Sequence, residues 1–182
     1  MRIYDIEEHG FHRAMRGLAR SYNQDPKFMP EVALKLSDKD RGHNKFLESI
    51  AVWMEIDAPR FWWSEFDTYR AGMSKQSDST MHTLKRQPLS QENFEYEIHR
   101  GTLGHINSMI QENEPIDIIK NELPEGFLQG RSVCTNYKVI RHILQQRWNH
   151  KLPQWQQFCQ AMAGLEHFQY LGLPAEYTME KH

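Results

Sequence analysis

Three features of this sequence predict a mixed domain of helices and strands. Residues 49–56 alternate, with Ile50, Val52, Met54 and Ile56 on one side and Ala51, Trp53 and Glu55 on the other. That period of two marks a strand with one strongly apolar face. Several other stretches place apolar residues at steps of three and four, the period of a helix. The chain has 182 residues, 39% hydrophobic and 25% charged, which suffices for a substantial core in one domain spanning residues 1–182.

Composition narrows the functional classes. A formal net charge of -2 argues against a general nucleic-acid coat, which needs a basic excess, while leaving room for a local basic pocket. No apolar run approaches the roughly 18 residues of a membrane span. The N-terminus carries Asp5, Glu7 and Glu8 in place of a signal peptide. Only Cys134 and Cys159 are present, far apart in sequence, which fits a reduced, cytoplasmic setting. Glu8, His9 and His12 lack a further pair at ligand spacing, so no metal site is assigned.

In chain order, Phe11, Met15 and Leu18 predict a first helix, and Ala33, Leu34 and Leu36 a second after a turn-rich connection at 23–30. The run Asp38-Lys39-Asp40-Arg41 reads as a solvated loop. Phe46, Leu47 and Ile50 predict a short helical piece before the alternating strand. Pro59 suits the first turn of the next helix, expected to reach about Tyr69. Trp63, Phe66 and Arg70 would share a face of it, ending an apolar stripe in an arginine at the mouth of a cleft. Residues 71–80 form a hydroxyl-rich loop, able to wrap phosphate oxygens or to serve as an ordinary turn region. A long helix is expected from Phe94 to Ile110, with Gly101 and Gly104 allowing close approach of a neighbour. Ile116, Ile118 and Ile119 follow, then a weaker strand at 128–135 that Gly130 interrupts, with Cys134 as a small buried strand residue. Asn136 is the expected cap of a further helix. Pro153 opens the last one, with Trp155, Phe158, Cys159 and Met162 facing inward. The tail after Leu173 reads as loosely held.

Two stretches carry candidate chemistry. Phe61, Trp62, Trp63, Phe66 and Tyr69 crowd five rings among Arg60, Glu65, Asp67 and Arg70. Rings mixed with fixed charges suit a flat, phosphorylated ligand such as a nucleotide or flavin; they suit equally a half-buried helix whose rings are core. Left exposed, Trp62 and Trp63 would form a patch that calls for a second subunit. In the second stretch, Arg147 continues the stripe of Ile140, Ile143 and Leu144, a position that demands an anion. Lys138, near a helix N-terminus, opposes the helix dipole and also points to an anionic ligand.

The order of these features resembles the flavin-dependent thymidylate synthases, ThyX. Gly42-His43 and Glu48 stand at that family's Gly-His…Glu element, Arg60 at its Ser-Arg arginine, and Arg70, ten residues on, at the last arginine of its Arg-His-Arg motif. Glu65 falls where the family usually has glutamine. Lys120 precedes Leu123-Pro124 where a substrate-contacting arginine stands. Asn136, Lys138, His142 and Arg147 match Asn-x-Arg-x3-Asn-x4-Arg in register, and Trp155 a tryptophan beyond. The match covers roughly residues 42–82 and 120–158. Thr68 and Tyr69 replace the first arginine and the histidine of Arg-His-Arg, Met81 stands at a phosphate-binding arginine, and His142 replaces an asparagine near the flavin.

The resemblance implies an α+β fold, with long helices packed on a central, mostly antiparallel sheet, and a homotetramer with sites between subunits. It implies FAD, NADPH and methylenetetrahydrofolate, with dUMP or a related pyrimidine nucleotide as one-carbon acceptor at C5. Cofactor contacts fall to His43, Arg70, Asn136, Lys138 and His142; substrate contacts to Glu65, Ser77, Ser79, Lys120 and Arg147, the last two also catalytic. Divergent short relatives of this kind are associated with bacteriophage genomes, which would place the protein in the host cytoplasm. No nucleic acid or membrane partner is implied. Two other readings stand beside this: a ThyX-fold protein that binds nucleotide and flavin without turnover, and a helical interaction module whose aromatic cluster is a partner interface.

Overall fold

Ile50, Val52, Met54 and Ile56 are all buried, whereas Trp53 on the other side is 47% exposed. The period-two segment thus forms β2 (Ala51–Pro59) with its apolar side inward. The structure, a computed structural model, describes residues 1–177. It contains an antiparallel four-stranded sheet in the order β1 (Arg2–His9), β2, β4 (Leu128–Asn136), β3 (Ser74–Ser77). With eight α-helices among the described residues, this is the α+β architecture expected. The strand β1 left little trace in the sequence: it is a sheet edge, mostly exposed, and left-handed Asp5 (φ 48°) breaks its alternation. Chain contacts divide the molecule into two compact units, one of residues 1–2, 56–68 and 76–132, the other of 3–55, 69–75 and 133 onward.

The first unit holds α3 (Arg60–Phe66), α4 (Thr80–Thr83), α5 (Arg100–Gln111) and α6 (Ile116–Glu122). On α3, Trp62 stacks on Phe66 with centroids 4.7 Å apart, and Trp63 sets its edge against both. All three rings are buried within this one chain. They are core, and they give no reason of their own for a flat ligand or a second subunit. Trp63 Nε1 donates to the Gln129 carbonyl at 2.9 Å, and the Arg131 guanidinium lies 4.2 Å over its ring, paired with Asp67 at 2.9 and 3.0 Å. A second apolar cluster gathers Leu84, Phe94, Ile106, Ile110, Ile119 and Phe127.

Two helix boundaries differ from expectation. The helix expected from Phe94 begins only at Arg100, because Phe94 bridges to Phe127 in extended form and His99 Nδ1 accepts the Gly101 amide as a cap. A methyl group on Gly104 would meet nothing within 4 Å, so no helix approaches there. Likewise α3 ends at Phe66, and Arg70 falls beyond it in an exposed turn, not on the helix face.

The second unit holds α1 (Phe11–Tyr22), α2 (Met29–Leu36), α7 (Tyr137–Arg147) and α8 (Pro153–Ala163). Ala14, Met15 and Ala19 of α1 are buried, and α1 packs on α2 and on the short 3-10 turn Lys45–Ser49. Trp155, Phe158, Cys159 and Met162 of α8 are buried as expected, and burial pushes the Cys159 thiol up to about 12. Cys134 is half-buried on β4. Glu8, at the end of β1, accepts from the Tyr137 hydroxyl and the Glu166 amide and lies 3.3 Å from His167 Nδ1. Burial, and then the Glu8 carboxylate, raises the Tyr137 phenol far above its ordinary value. Phe11 stacks on His167 at 3.8 Å. In the stretch after Leu173, Tyr177 lies 5.2 Å from Trp148; residues 178–182 lie outside the described residues.

Candidate functional site

The helix α7 organises the second unit's polar chemistry. The strand β4 ends at Asn136, whose backbone is extended and whose Oδ1 accepts the Val139 amide at 3.1 Å, starting the helix as the sequence predicts. Ile140, Ile143 and Leu144 are buried. Two distant segments of chain then fold onto the helix.

The first comes from residues 40–50. The Tyr137 amide donates to the Ile50 carbonyl at 3.0 Å. Lys138 Nζ donates to Asp40 Oδ1 at 3.0 Å and to Asn44 Oδ1 at 2.6 Å, and Asn44, itself buried, donates to the Ser37 carbonyl. Arg141 Nη1 lies 3.6 Å from the same Asp40 oxygen and bonds Gln145 Oε1 at 3.2 Å. The Lys138 hydrogen bond and charge, followed by the Arg141 charge, hold the Asp40 carboxyl below its usual value. The cation at the helix N-terminus is therefore answered by the chain itself. The placement of Lys138 therefore does not by itself call for an anionic ligand, and the charge run, exposed as expected, holds it through Asp40.

The second segment is 69–75. Tyr69 is buried; its hydroxyl donates to Gln146 Oε1 at 2.8 Å and accepts from Arg147 Nε at 2.9 Å. The Arg147 guanidinium lies 4.7 Å over the Trp155 ring, and Tyr69 meets His142 and Trp155 edge-on at 6.0 Å. At the other end, the Gly72 carbonyl accepts from Thr135 Oγ1 at 3.1 Å. Gly72 has φ 69°, and a Cβ there would stand 2.9 Å from Val139 Cγ2. Only glycine gives both that backbone and that approach. The loop therefore runs along α7, with Tyr69 by its C-terminal end and Gly72 by its N-terminal end.

Of the residues singled out from sequence, His43, Arg70, Asn136, Lys138, His142 and Arg147 belong to this unit. His43, Arg70 and His142 are exposed; Arg147 is half-buried. The remaining four belong to the other unit. There Glu65 is half-buried on α3, Ser77 is exposed at the end of β3, Ser79 is exposed at the position before α4 with no side-chain capping bond, and Lys120 is half-buried on α6. No hydrogen bond or ion pair among the described residues joins Lys120 to Ser77 or Ser79. Met81, at the expected phosphate arginine, is 57% exposed. Sequence reasoning missed the parts played by Asp40, Asn44, Tyr69, Gly72 and Gln146. Gly72 was the one with a legible signal, a lone glycine in the loop; the others depend on tertiary pairing. Among the described residues no group of three or more His, Cys, Asp or Glu could hold a metal ion, and no helix is long and apolar enough to cross a membrane.

The sequence matches no protein-family model and no curated protein. Solved structures do match. One is ThyX from Helicobacter pylori with FAD and dUMP: TM-score 0.82 at 17% identity, covering 99% of this chain and 100% of that one. A second Helicobacter pylori ThyX complex with FAD and dUMP gives 0.76 at 18%, covering 97% and 96%. The UMP/dUMP methylase PolB from Streptomyces cacaoi, bound with 5-Br dUMP, gives 0.68 at 12%, covering 94% and 92%. The fold is that of the flavin-dependent thymidylate synthases.

Proposed function

We propose that this chain, with its ThyX fold, transfers a one-carbon unit from methylenetetrahydrofolate to C5 of dUMP or a related pyrimidine nucleotide, using FAD and NADPH. The observation that carries the reading is the convergence on α7: segments 40–50 and 69–75 lie against the helix bearing Asn136, His142 and Arg147. These are the stretches whose residues match the family pattern. The fold supports the same reading.

The residues fit a flavin in part. His43, Arg70 and His142 are solvent-open, and none of their side chains makes a hydrogen bond or ion pair with another described residue. They offer a guanidinium and two imidazoles for a pyrophosphate or ring edge. Lys138, committed to Asp40 and Asn44, contributes charge at a distance at most. When bound, the flavin supplies the electrons that complete reduction of the transferred carbon. The chain's own part is to bind and orient. Arg147, held over Trp155 with Nε tied to Tyr69, has a fixed direction for a nucleotide anion; Lys120, in the other unit, keeps the substrate role that the resemblance gives it. The homotetramer rests on the resemblance alone, because Trp62 and Trp63 are buried within the chain.

The test is incubation with FAD, NADPH, methylenetetrahydrofolate and dUMP, with products identified by mass spectrometry. A 5-methyl or 5-hydroxymethyl pyrimidine is expected. Binding of dUMP without product under any reductant would leave a nucleotide-binding protein without turnover. Absence of both FAD and dUMP binding would sink the assignment. Light scattering at micromolar concentration is expected to give a tetramer; a monodisperse monomer would remove the shared sites.

A further inference from the structure

The outer face of α1 carries a separate concentration of positive charge. Arg13, Arg16 and Arg20 fall at i, i+3 and i+7, on the side opposite buried Ala14, Met15 and Ala19. All three are exposed, and none of their side chains makes a hydrogen bond or ion pair with any described residue. With Gly17, Asn23 and Gln24 they line an open pocket of 520 Å³.

Nothing in the helix itself accounts for this arrangement. Arg20 lies in the last turn, where a cation complements the helix dipole, but Arg13 lies in the first turn, where a cation opposes it and no acidic residue compensates. Like charges at i, i+3 also repel. Gly17 weakens the helix interior relative to alanine. Yet its φ is not positive, and a Cβ on it would meet nothing within 4 Å. Neither backbone geometry nor packing among the described residues calls for glycine there. Three unfavourable choices meet on one face, and an anion seated against the Gly17 backbone would resolve all of them.

We propose that this face binds the phosphate chain of a nucleoside di- or triphosphate. The seven-residue span between Arg13 and Arg20 is about 10 Å along the axis, too long for one phosphate and suited to two or three. Guanidinium groups pair with phosphate oxygens two bonds at a time. The missing side chain at Gly17 opens the floor between them, and the Asn23 and Gln24 amides supply donors and acceptors for a sugar or base edge. None of these residues belongs to the site on α7, so the inference stands apart from the proposed reaction.

The test is calorimetric titration of the full chain at low salt with inorganic tripolyphosphate, with ATP and with dTTP. Tripolyphosphate binding locates the phosphate site, and tighter binding of a nucleotide shows that the base or sugar is read as well. Arg13→Ala/Arg16→Ala is expected to weaken binding at least about tenfold. Gly17→Leu, which leaves every charge in place and favours the helix, is expected to weaken it severalfold while the unfolding temperature holds or rises. FAD and dUMP binding should be unchanged in both variants. The proposal is overturned if neither tripolyphosphate nor a nucleotide binds, if binding survives the double substitution, or if single-stranded oligonucleotide binds through these arginines when tripolyphosphate does not.

Discussion

Each compact unit contains an arginine lying on a tryptophan, and the two pairs are built differently. Arg131 rests on Trp63 with both Asp67 oxygens on one of its nitrogens and Gln129 Oε1 on another. It is a closed clasp, with ring, carboxylate and amide arranged to hold β4 to the end of α3. Arg147 rests on Trp155 with its Nε given to the Tyr69 hydroxyl, a neutral group on a loop. Rings and cations mixed in sequence do not themselves mark a binding site. What separates the two pairs is the group that fixes the guanidinium, a carboxylate and an amide for Arg131 and a phenol hydroxyl for Arg147.

Substitutions sharpen that contrast. The largest effect should come from Trp63→Ala, which empties a buried ring site and removes the bond to Gln129: about 3–5 kcal/mol lost in urea unfolding. A loss under about 1 kcal/mol would show that α3 is not core. Asp67→Ala leaves the Arg131 charge half-buried without its carboxylate. Because Asp67 itself is 44% exposed, the expected cost is about 1–2 kcal/mol, with no change in dUMP binding. In the other unit the balance should reverse. Arg147→Ala is expected to weaken dUMP at least about tenfold while flavin binding and unfolding change little. Equal damage to both ligands and to stability would make Arg147 a second structural clasp. Tyr69→Phe keeps the ring and removes the oxygen, at about 0.5–1.5 kcal/mol, and should lower dUMP affinity less than Arg147→Ala does.

The smallest effect is one of pH. Asp40 titrates below its ordinary 3.8, first through its Lys138 hydrogen bond. A carboxyl depressed in the folded state adds stability above its unfolded value and loses it as pH falls through the folded one. Thermal unfolding from about pH 5 downward should therefore fall more steeply in the native chain than in Asp40→Asn. Parallel curves would mean that the pair contributes nothing.

The strand β2, the Asn136 cap and the inward face of α8 were legible because each is written locally, in alternation, in a capping side chain or in helical spacing. The ThyX fold was legible through two short motifs in register, though no family model matches the chain. Helix ends were less so. The stop at Phe66 and the late start at Arg100 depend on what the neighbouring chain does. The partner of Lys138 was hidden for the same reason: its carboxylate comes from Asp40, 98 positions away, and no local pattern announces it. The charge conflict on α1 was equally invisible until the helix's inner and outer faces were known.

Glu8 has a consequence for the order in which the molecule can be made. Its carboxylate takes the Tyr137 hydroxyl and the Glu166 amide, 129 and 158 positions downstream. During synthesis the Glu8 carboxylate thus stays without these partners until residue 166 has left the ribosome, whereas residues 56–132, the bulk of the other unit, emerge earlier. A released fragment ending at residue 132 should protect that middle stretch from protease better than residues 3–55.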